Sequence, residues 1–137
     1  MERFLSEKKV EPKLLSPLTL AFIGDTVYDL LVREDIICDA NQSANNLHSL
    51  AVKRVKASAQ AHAIEDIMNY LTEEEIAVFK RGRNAKTAHT AKNSSTGDYH
   101  KATGLEAVFG YLYLSGETGR IKELYYLIKG ADKIDRE

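Results

Sequence analysis

The sequence predicts an all-α fold. Three observations carry that prediction. Apolar residues recur at helical spacing along most of the chain. Cap and stop signals bracket the periodic stretches, among them Ser16-Pro17, Thr72 to Glu75 and Gly116. No hairpin signal, internal repeat or low-complexity tract interrupts them. A length of 137 residues is expected to form one domain over residues 1–137.

The elements follow in order. Ser16 before Pro17 reads as an N-cap followed by proline at the first helical position. The stretch Leu18 to Ile37 is apolar on most of its circumference (Leu20, Phe22, Ile23, Val27, Tyr28, Leu30, Leu31, Val32), which predicts a central, buried helix. A buried strand competes over its first half, and the length without a turn signal favours helix. Asn41 to Ser43 offers the next cap, and Leu47, Leu50, Ala51 and Val55 predict a helix reaching about Ala63. Ile64, Ile67, Met68 and Leu71 predict a shorter one. Thr72, with Glu75 three residues on, forms a capping box that opens a short helix, Glu73 to Arg81, which Gly82 is expected to end. Arg83 to Gly97 lacks periodicity and is rich in Asn, Ser and Thr, so a long mobile loop is expected there. Asp98 to Ser115 is a strong helix closed by Gly116. Thr118 to Lys129 is a last amphipathic helix closed by Gly130, and the polar tail beyond it is expected to fray. The total is six or seven helices.

Composition excludes several function classes. Hydrophobic residues make up 44% and charged residues 28%, the mix of a soluble globular protein. No run approaches the ~18 apolar residues of a membrane span, and no apolar targeting segment is evident, so no membrane partner is expected. One cysteine, Cys38, cannot close a disulfide within the chain. With no targeting signal, this fits a cytoplasmic protein. The four histidines (His48, His62, His89, His100) contain no pair at i+3 or i+4, which argues against zinc. Neither a G-x-S-x-G elbow nor a phosphate-binding P-loop is present.

The net charge of -1 hides a segregation. Ala40 to Ile64 has no acidic residue but carries Lys53, Arg54 and Lys56. Ile76 to Gly97 has none either, but carries Lys80, Arg81, Arg83, Lys86 and Lys92. These windows hold eight of the 19 basic side chains and none of the 20 acidic ones. A chain divided in this way can steer a polyanion to one face; solvated helix faces are the competing reading.

Two carboxylates stand in apolar helical surroundings. Asp25 has Ala21, Phe22, Tyr28 and Asp29 as helical neighbours, and Glu106 has Ala102, Thr103, Phe109 and Gly110. A carboxylate placed there must be paired, hydrogen-bonded or bound to a cation. Glycines lie beside both (Gly24, Gly104, Gly110) and permit close approach. Hard oxygen ligands with room for water suit Mg²⁺ or Mn²⁺. A structural carboxylate satisfied by a tyrosine, a lysine or a helix terminus is the alternative.

These residues carry a resemblance. Phe22-Ile23-Gly24-Asp25-Thr26-Val27 resembles the core signature of the ribonuclease III family, and Gly104-Leu105-Glu106-Ala107-Val108-Phe109-Gly110 resembles its second motif. Lys80-Arg81-Gly82-Arg83-Asn84-Ala85-Lys86 and Gly110-Tyr111-Leu112-Tyr113-Leu114 are similar to the Mini branch of that family, a nuclease domain without a double-stranded-RNA-binding domain. The resemblance covers nearly the whole chain. It implies a single-domain helical endonuclease fold, with Asp25 and Glu106 as catalytic residues and ligands of Mg²⁺, for which Mn²⁺ substitutes. The chain departs from full-length members at Ala21 and Thr103, where the family has two further carboxylates. The Mini branch is similar to this chain in that loss. Asp29, one turn after Asp25, and Thr103 are expected to support the ligands from behind.

The activity implied is metal-dependent hydrolysis of double-stranded RNA by a two-fold homodimer that matures the ends of large-subunit (23S) ribosomal RNA, with a large-subunit ribosomal protein as a candidate presenter of the RNA. Expected RNA contacts are Arg81, Arg83, Asn84 and Lys86, with Lys53, Arg54 and Lys56 as second candidates. Two other readings stay open at this point. One is a catalytically silent RNA-binding relative, motivated by Ala21 and Thr103. The other is an all-α protein-interaction module, motivated by the near-neutral net charge.

Overall fold

A computed structural model describes residues 3–86 and 96–136. Among them are six α-helices, two 3-10 turns and no strand, as the all-α prediction requires. The helices are α1 (Pro17–Asp39), α2 (Ala44–Val55), α3 (Ala57–Ile67), α4 (Glu73–Arg83), α5 (Thr96–Leu114) and α6 (Thr118–Arg136). The 3-10 turns are Pro12–Leu14 and Met68–Tyr70. No helix among the described residues is long and apolar enough to cross a membrane.

Local chemistry sets the ends. Ser16 Oγ accepts the Thr19 amide at 3.2 Å, and Ser43 Oγ accepts the Asn46 amide at 3.2 Å. The capping box is complete: the Glu75 amide donates to Thr72 Oγ1 at 3.1 Å, and the Thr72 amide to Glu75 Oε1 at 2.9 Å. Gly116, at φ 77, closes α5, with the Glu117 amide bonded to Leu112 O at 2.8 Å and the Gly116 amide to Tyr113 O at 3.0 Å. That double bond pattern needs a left-handed residue, which glycine adopts without penalty.

Helix α5 is the centre. It packs against α1, α3, α4 and α6, and from Ala102 to Leu112 every residue except Glu106 is buried. Leu105, Val108 and Phe109 meet Leu20 and Val32 of α1, Ile64 and Ile67 of α3 and Leu124 of α6 in one apolar core. Each such side chain contributes about 1.5–3 kcal/mol when withdrawn from water. Tyr28 stands edge-on to Phe109 with ring centres 5.1 Å apart. Glu75, 4% exposed, ties α4 to α6 through two hydrogen bonds from Arg120 at 2.9 Å.

Six expectations are corrected. Helix α1 is not buried all round: Leu18, Phe22, Leu30 and Ile37 are exposed, Phe22 by 81%, because α5 and α2 cover only one side of it. The helix expected from Ser43 to Ala63 breaks at Lys56, whose ψ of 157 is extended. Ile64 and Ile67 complete α3, and a 3-10 turn follows where a separate helix was expected. Gly82 does not end α4 but lies buried inside it, two residues before the Asn84 cap. Gly130 does not end α6, which continues to Arg136 where fraying was expected. Of the loop expected from Arg83 to Gly97, Arg83 belongs to α4 and Thr96 opens α5; residues 87–95 lie outside the described residues.

Candidate active site

Two glycine crossings build the site. A Cβ added to Gly24 would lie 1.7 Å from Glu106 O and 2.7 Å from the Gly110 amide nitrogen; one added to Gly110 would lie 1.9 Å from Leu20 O. The backbones of α1 and α5 are therefore in contact, which only glycine allows. This contact sets Asp25, the residue after Gly24, against Glu106. The second crossing joins α4 to α5. A Cβ on Gly82 would lie 2.9 Å from Ala107 Cβ and 3.0 Å from Gly104 Cα, and one on Gly104 would strike the Phe79 ring at 2.5 Å. The basic end of α4 is thereby docked beside the same segment of α5.

Burial and Asp25 together perturb the Glu106 carboxyl. Burial, then the negative charge of Asp25 and a hydrogen bond with it, pushes the Glu106 carboxyl up to about 8, against an opposing hydrogen bond from Gln60. Asp25 is exposed and Glu106 half-buried, so the pair has one wet and one dry side. Near neutral pH without a cation Glu106 stays largely protonated. A divalent cation held there would displace that proton and offset the repulsion. Among the described residues no group of three His, Cys, Asp or Glu side chains could hold a metal. Two hard carboxylates still fit Mg²⁺, which keeps several of its waters.

The positions where family carboxylates are absent are occupied by packing. Ala21 is buried in the core, and Thr103 is buried with its hydroxyl donating to Tyr99 O at 3.0 Å. Asp29 receives Arg33 Nε on Oδ2 at 2.9 Å, and its Oδ1 is buried without a hydrogen-bond partner. One residue at the site was not anticipated. Gln60 of α3 is 2% exposed, and its Nε2 lies 2.8 Å from Val55 O and 3.4 Å from Glu106 Oε2. The available signal was a lone amide among Ala57, Ala59, Ala61 and Ala63, but nothing in the sequence marked the break at Lys56 that aims it.

The basic residues fall in two places. Near the end of α4, Arg81 is exposed and donates to Leu15 O at 3.2 Å. Arg83 lies 5.5 Å over the Phe79 ring and donates to Asn84 Oδ1 at 3.1 Å. Asn84 caps the helix through Lys80 O, and Lys86 is exposed. On α2 and the α2–α3 junction, Lys53 and Lys56 are exposed and line a cleft of about 770 Å³ together with His62 and Lys129. Arg54 is committed differently. It donates to Asp35 Oδ2 at 3.0 Å and to the Tyr125 hydroxyl, and stacks 5.8 Å over that ring. Burial opposes the charge of Asp35, but hydrogen bonds from Lys129, Tyr125 and Arg54 outweigh it and hold the carboxyl below its ordinary range.

Comparison with known proteins adds a second line. The ribonuclease III domain model matches residues 18–117. A Mini-ribonuclease 3 of Clostridium tetani is 48% identical over 128 residues, covering 91% of this chain and 85% of the relative. One from a Thermoanaerobacter species is 50% identical over 113 residues (82% and 80%), and one from Staphylococcus aureus 43% identical over 114 residues (82% and 85%). A crystal structure of a Fusobacterium nucleatum protein superposes with a TM-score of 0.81 at 27% identity, covering 87% of this chain and 98% of that one.

Proposed function

The chain belongs to the ribonuclease III family, in its Mini-ribonuclease 3 branch, and from that premise we propose that it cleaves double-stranded RNA with a divalent cation held by Asp25 and Glu106. Membership makes it an endoribonuclease. The observation that carries the rest is the Asp25–Glu106 pair at the Gly24–Gly110 crossing, where burial first and Asp25 second favour the protonated form of Glu106 in the absence of a cation.

The residues divide the work. A bound Mg²⁺, or Mn²⁺ in its place, supplies charge neutralisation at the scissile phosphate and lowers the pKa of a water molecule. Glu106 offers its carboxylate from the dry side of the pair, and Asp25 from the wet side, where a phosphate can approach. Because Ala21 and Thr103 carry no charge, water and substrate phosphate would have to complete the coordination of a cation held there. Arg81, Arg83, Asn84 and Lys86 face the RNA backbone from the end of α4, and Lys53 and Lys56 extend the contact. Arg54 supports that surface from within, through Asp35 and Tyr125. Recognition of this kind reads duplex shape, phosphates and 2′-hydroxyls, and weakens with salt.

A homodimer is the working unit. Its support is the exposed apolar row on α1, in which Phe22 lies one turn before Asp25. Two such sites related by a two-fold axis can cut opposite strands. We assign the substrate to the double-stranded stalks flanking large-subunit ribosomal RNA, in the cytoplasm, with a large-subunit ribosomal protein as the presenting partner.

The test is cleavage of a long duplex RNA with Mg²⁺ and with EDTA, by wild type, Asp25→Asn and Glu106→Gln. Magnesium-dependent cutting that both substitutions abolish is the expected result. Salt-sensitive binding without cutting by folded wild type would replace this reading with a silent RNA-binding protein, and Ala21 and Thr103 would be the reason.

A further inference from the structure

The cluster around Glu106 contains a side chain that the two-carboxylate site leaves without a role. Gln60 sits in the first turn of α3, and its burial is nearly complete. A buried amide must be hydrogen-bonded or it costs free energy. Its donor end is used twice. Nε2 donates to Val55 O at 2.8 Å, satisfying a carbonyl that the break at Lys56 removes from helical bonding, and reaches Glu106 Oε2 at 3.4 Å. The short contact to Val55 O fixes which end of the amide is nitrogen, since an oxygen there would face another oxygen. Oε1 is left buried and unpartnered. An acceptor in that state is the cost of pointing both N–H groups at the carbonyl and the carboxylate.

We infer that Gln60 is the positioning residue of the cation site, clamping Glu106 by a hydrogen bond whose geometry is set by the α2–α3 break. This rests on the cation reading of Asp25 and Glu106. A site with two protein carboxylates has little redundancy, so the orientation of each one matters more than in a site with four. Gln60 approaches Glu106 from α3, while Asp25 approaches from α1, so the carboxyl is held from two helices. At 3.4 Å the hydrogen bond is long, as catalytic hydrogen bonds often are before the site is loaded. The break at Lys56, which no sequence signal marks, thereby acquires a purpose: a continuous helix would satisfy Val55 O internally and aim residue 60 elsewhere.

Gln60→Met keeps the length and volume of the side chain and removes both hydrogen bonds. Mn²⁺ affinity is measured by electron paramagnetic resonance on wild type, Glu106→Gln and Gln60→Met, with thermal melting of each, and kcat and KM are measured on duplex RNA. A ligand-orienting partner is worth about 10–100-fold in affinity or activity. The expected result is that folded Gln60→Met binds Mn²⁺ about 10–100-fold more weakly and loses kcat, with KM unchanged. A merely structural role lowers the melting temperature and leaves the Mn²⁺ affinity of the folded protein alone; that result overturns the inference while the cation site stands. Equal Mn²⁺ affinity in wild type and Glu106→Gln overturns the cation site and this inference with it. Should Gln60→Met not fold, the Gln60 side-chain amide resonances of wild type decide. They move in a Mg²⁺ titration and stay still in Glu106→Gln if the clamp exists, and stay still in wild type if it does not.

Discussion

Glu106 is a carboxyl whose surroundings oppose its charge. It interrupts the buried run from Ala102 to Leu112, and its folded-state value of about 8 stands well above the ordinary 4.5. The sign of the consequence follows directly. A carboxyl whose folded value is raised favours folding fully below its unfolded value, and that contribution is lost as pH rises through the folded value. Glu106 therefore weighs against the cation-free fold increasingly between about pH 4.5 and 8. Glu106→Gln removes a charge that burial and Asp25 both oppose. In EDTA at pH 8 it is expected to raise stability by about 1–3 kcal/mol, and at pH 4 by nothing measurable. Urea unfolding at the two pH values checks this. Adding Mg²⁺ is expected to reverse the order, because a cation held by Asp25 and Glu106 would bind the folded wild type more tightly than the variant. An unchanged ranking with Mg²⁺ would show that the carboxyl is buried for packing alone.

At the scale of elements, close helix crossings matter more than helix propensity. Gly24, Gly82, Gly104 and Gly110 all sit where a Cβ would meet a neighbour at 3.0 Å or less, whereas Gly130 in α6 has nothing within 4 Å. Gly24→Ala and Gly130→Ala are thus the same chemical change with opposite outcomes. Gly24→Ala must push α1 off α5 and is expected to cost about 3 kcal/mol or more, separating Asp25 from Glu106 as it does so. Gly130→Ala gains helix propensity and is expected to stabilise by about 0.5–1 kcal/mol. Denaturant midpoints of the two variants check both signs. The same contrast explains what was legible beforehand. Ser16, Ser43, Thr72 with Glu75, and Gly116 act through bonds to residues near in sequence, and their roles could be read there. Gly82 and Gly130 both resembled helix ends, but tertiary contact decides the first and its absence leaves the second a tolerated interior glycine. The Lys56 break carries no Gly or Pro, and the Gln60 side chain that bonds Val55 O across it belongs to no standard capping pattern. Asp25 and Glu106 were visible as misplaced carboxylates, but their meeting depended on a backbone contact 82 positions apart in the chain.

At the scale of the whole molecule, the helix expected to be central keeps an open side. At about 100° per residue, Leu18, Phe22, Leu30 and Ile37 fall within roughly a third of the circumference of α1, and all four are exposed. Exposed apolar residues scattered singly need no explanation, but a row along one helix does. A second copy of the chain can cover it, since a two-fold axis sets the same row against itself. Phe22 is the most exposed of the four and lies one turn before Asp25, so a dimer contact on this row would share a stretch of α1 with the proposed cation site. Phe22→Asp puts a charge at the centre of that contact while touching nothing in the core. Wild type is expected to sediment as a dimer, and the variant as a folded monomer with an unchanged far-ultraviolet spectrum. Because Asp25 and Glu106 come from the same chain, the monomer should still bind Mn²⁺. Its loss should appear as weakened duplex binding and as nicks on one strand where the dimer cuts both. A variant that remains dimeric would place the association on another face and leave the apolar row of α1 to a different partner.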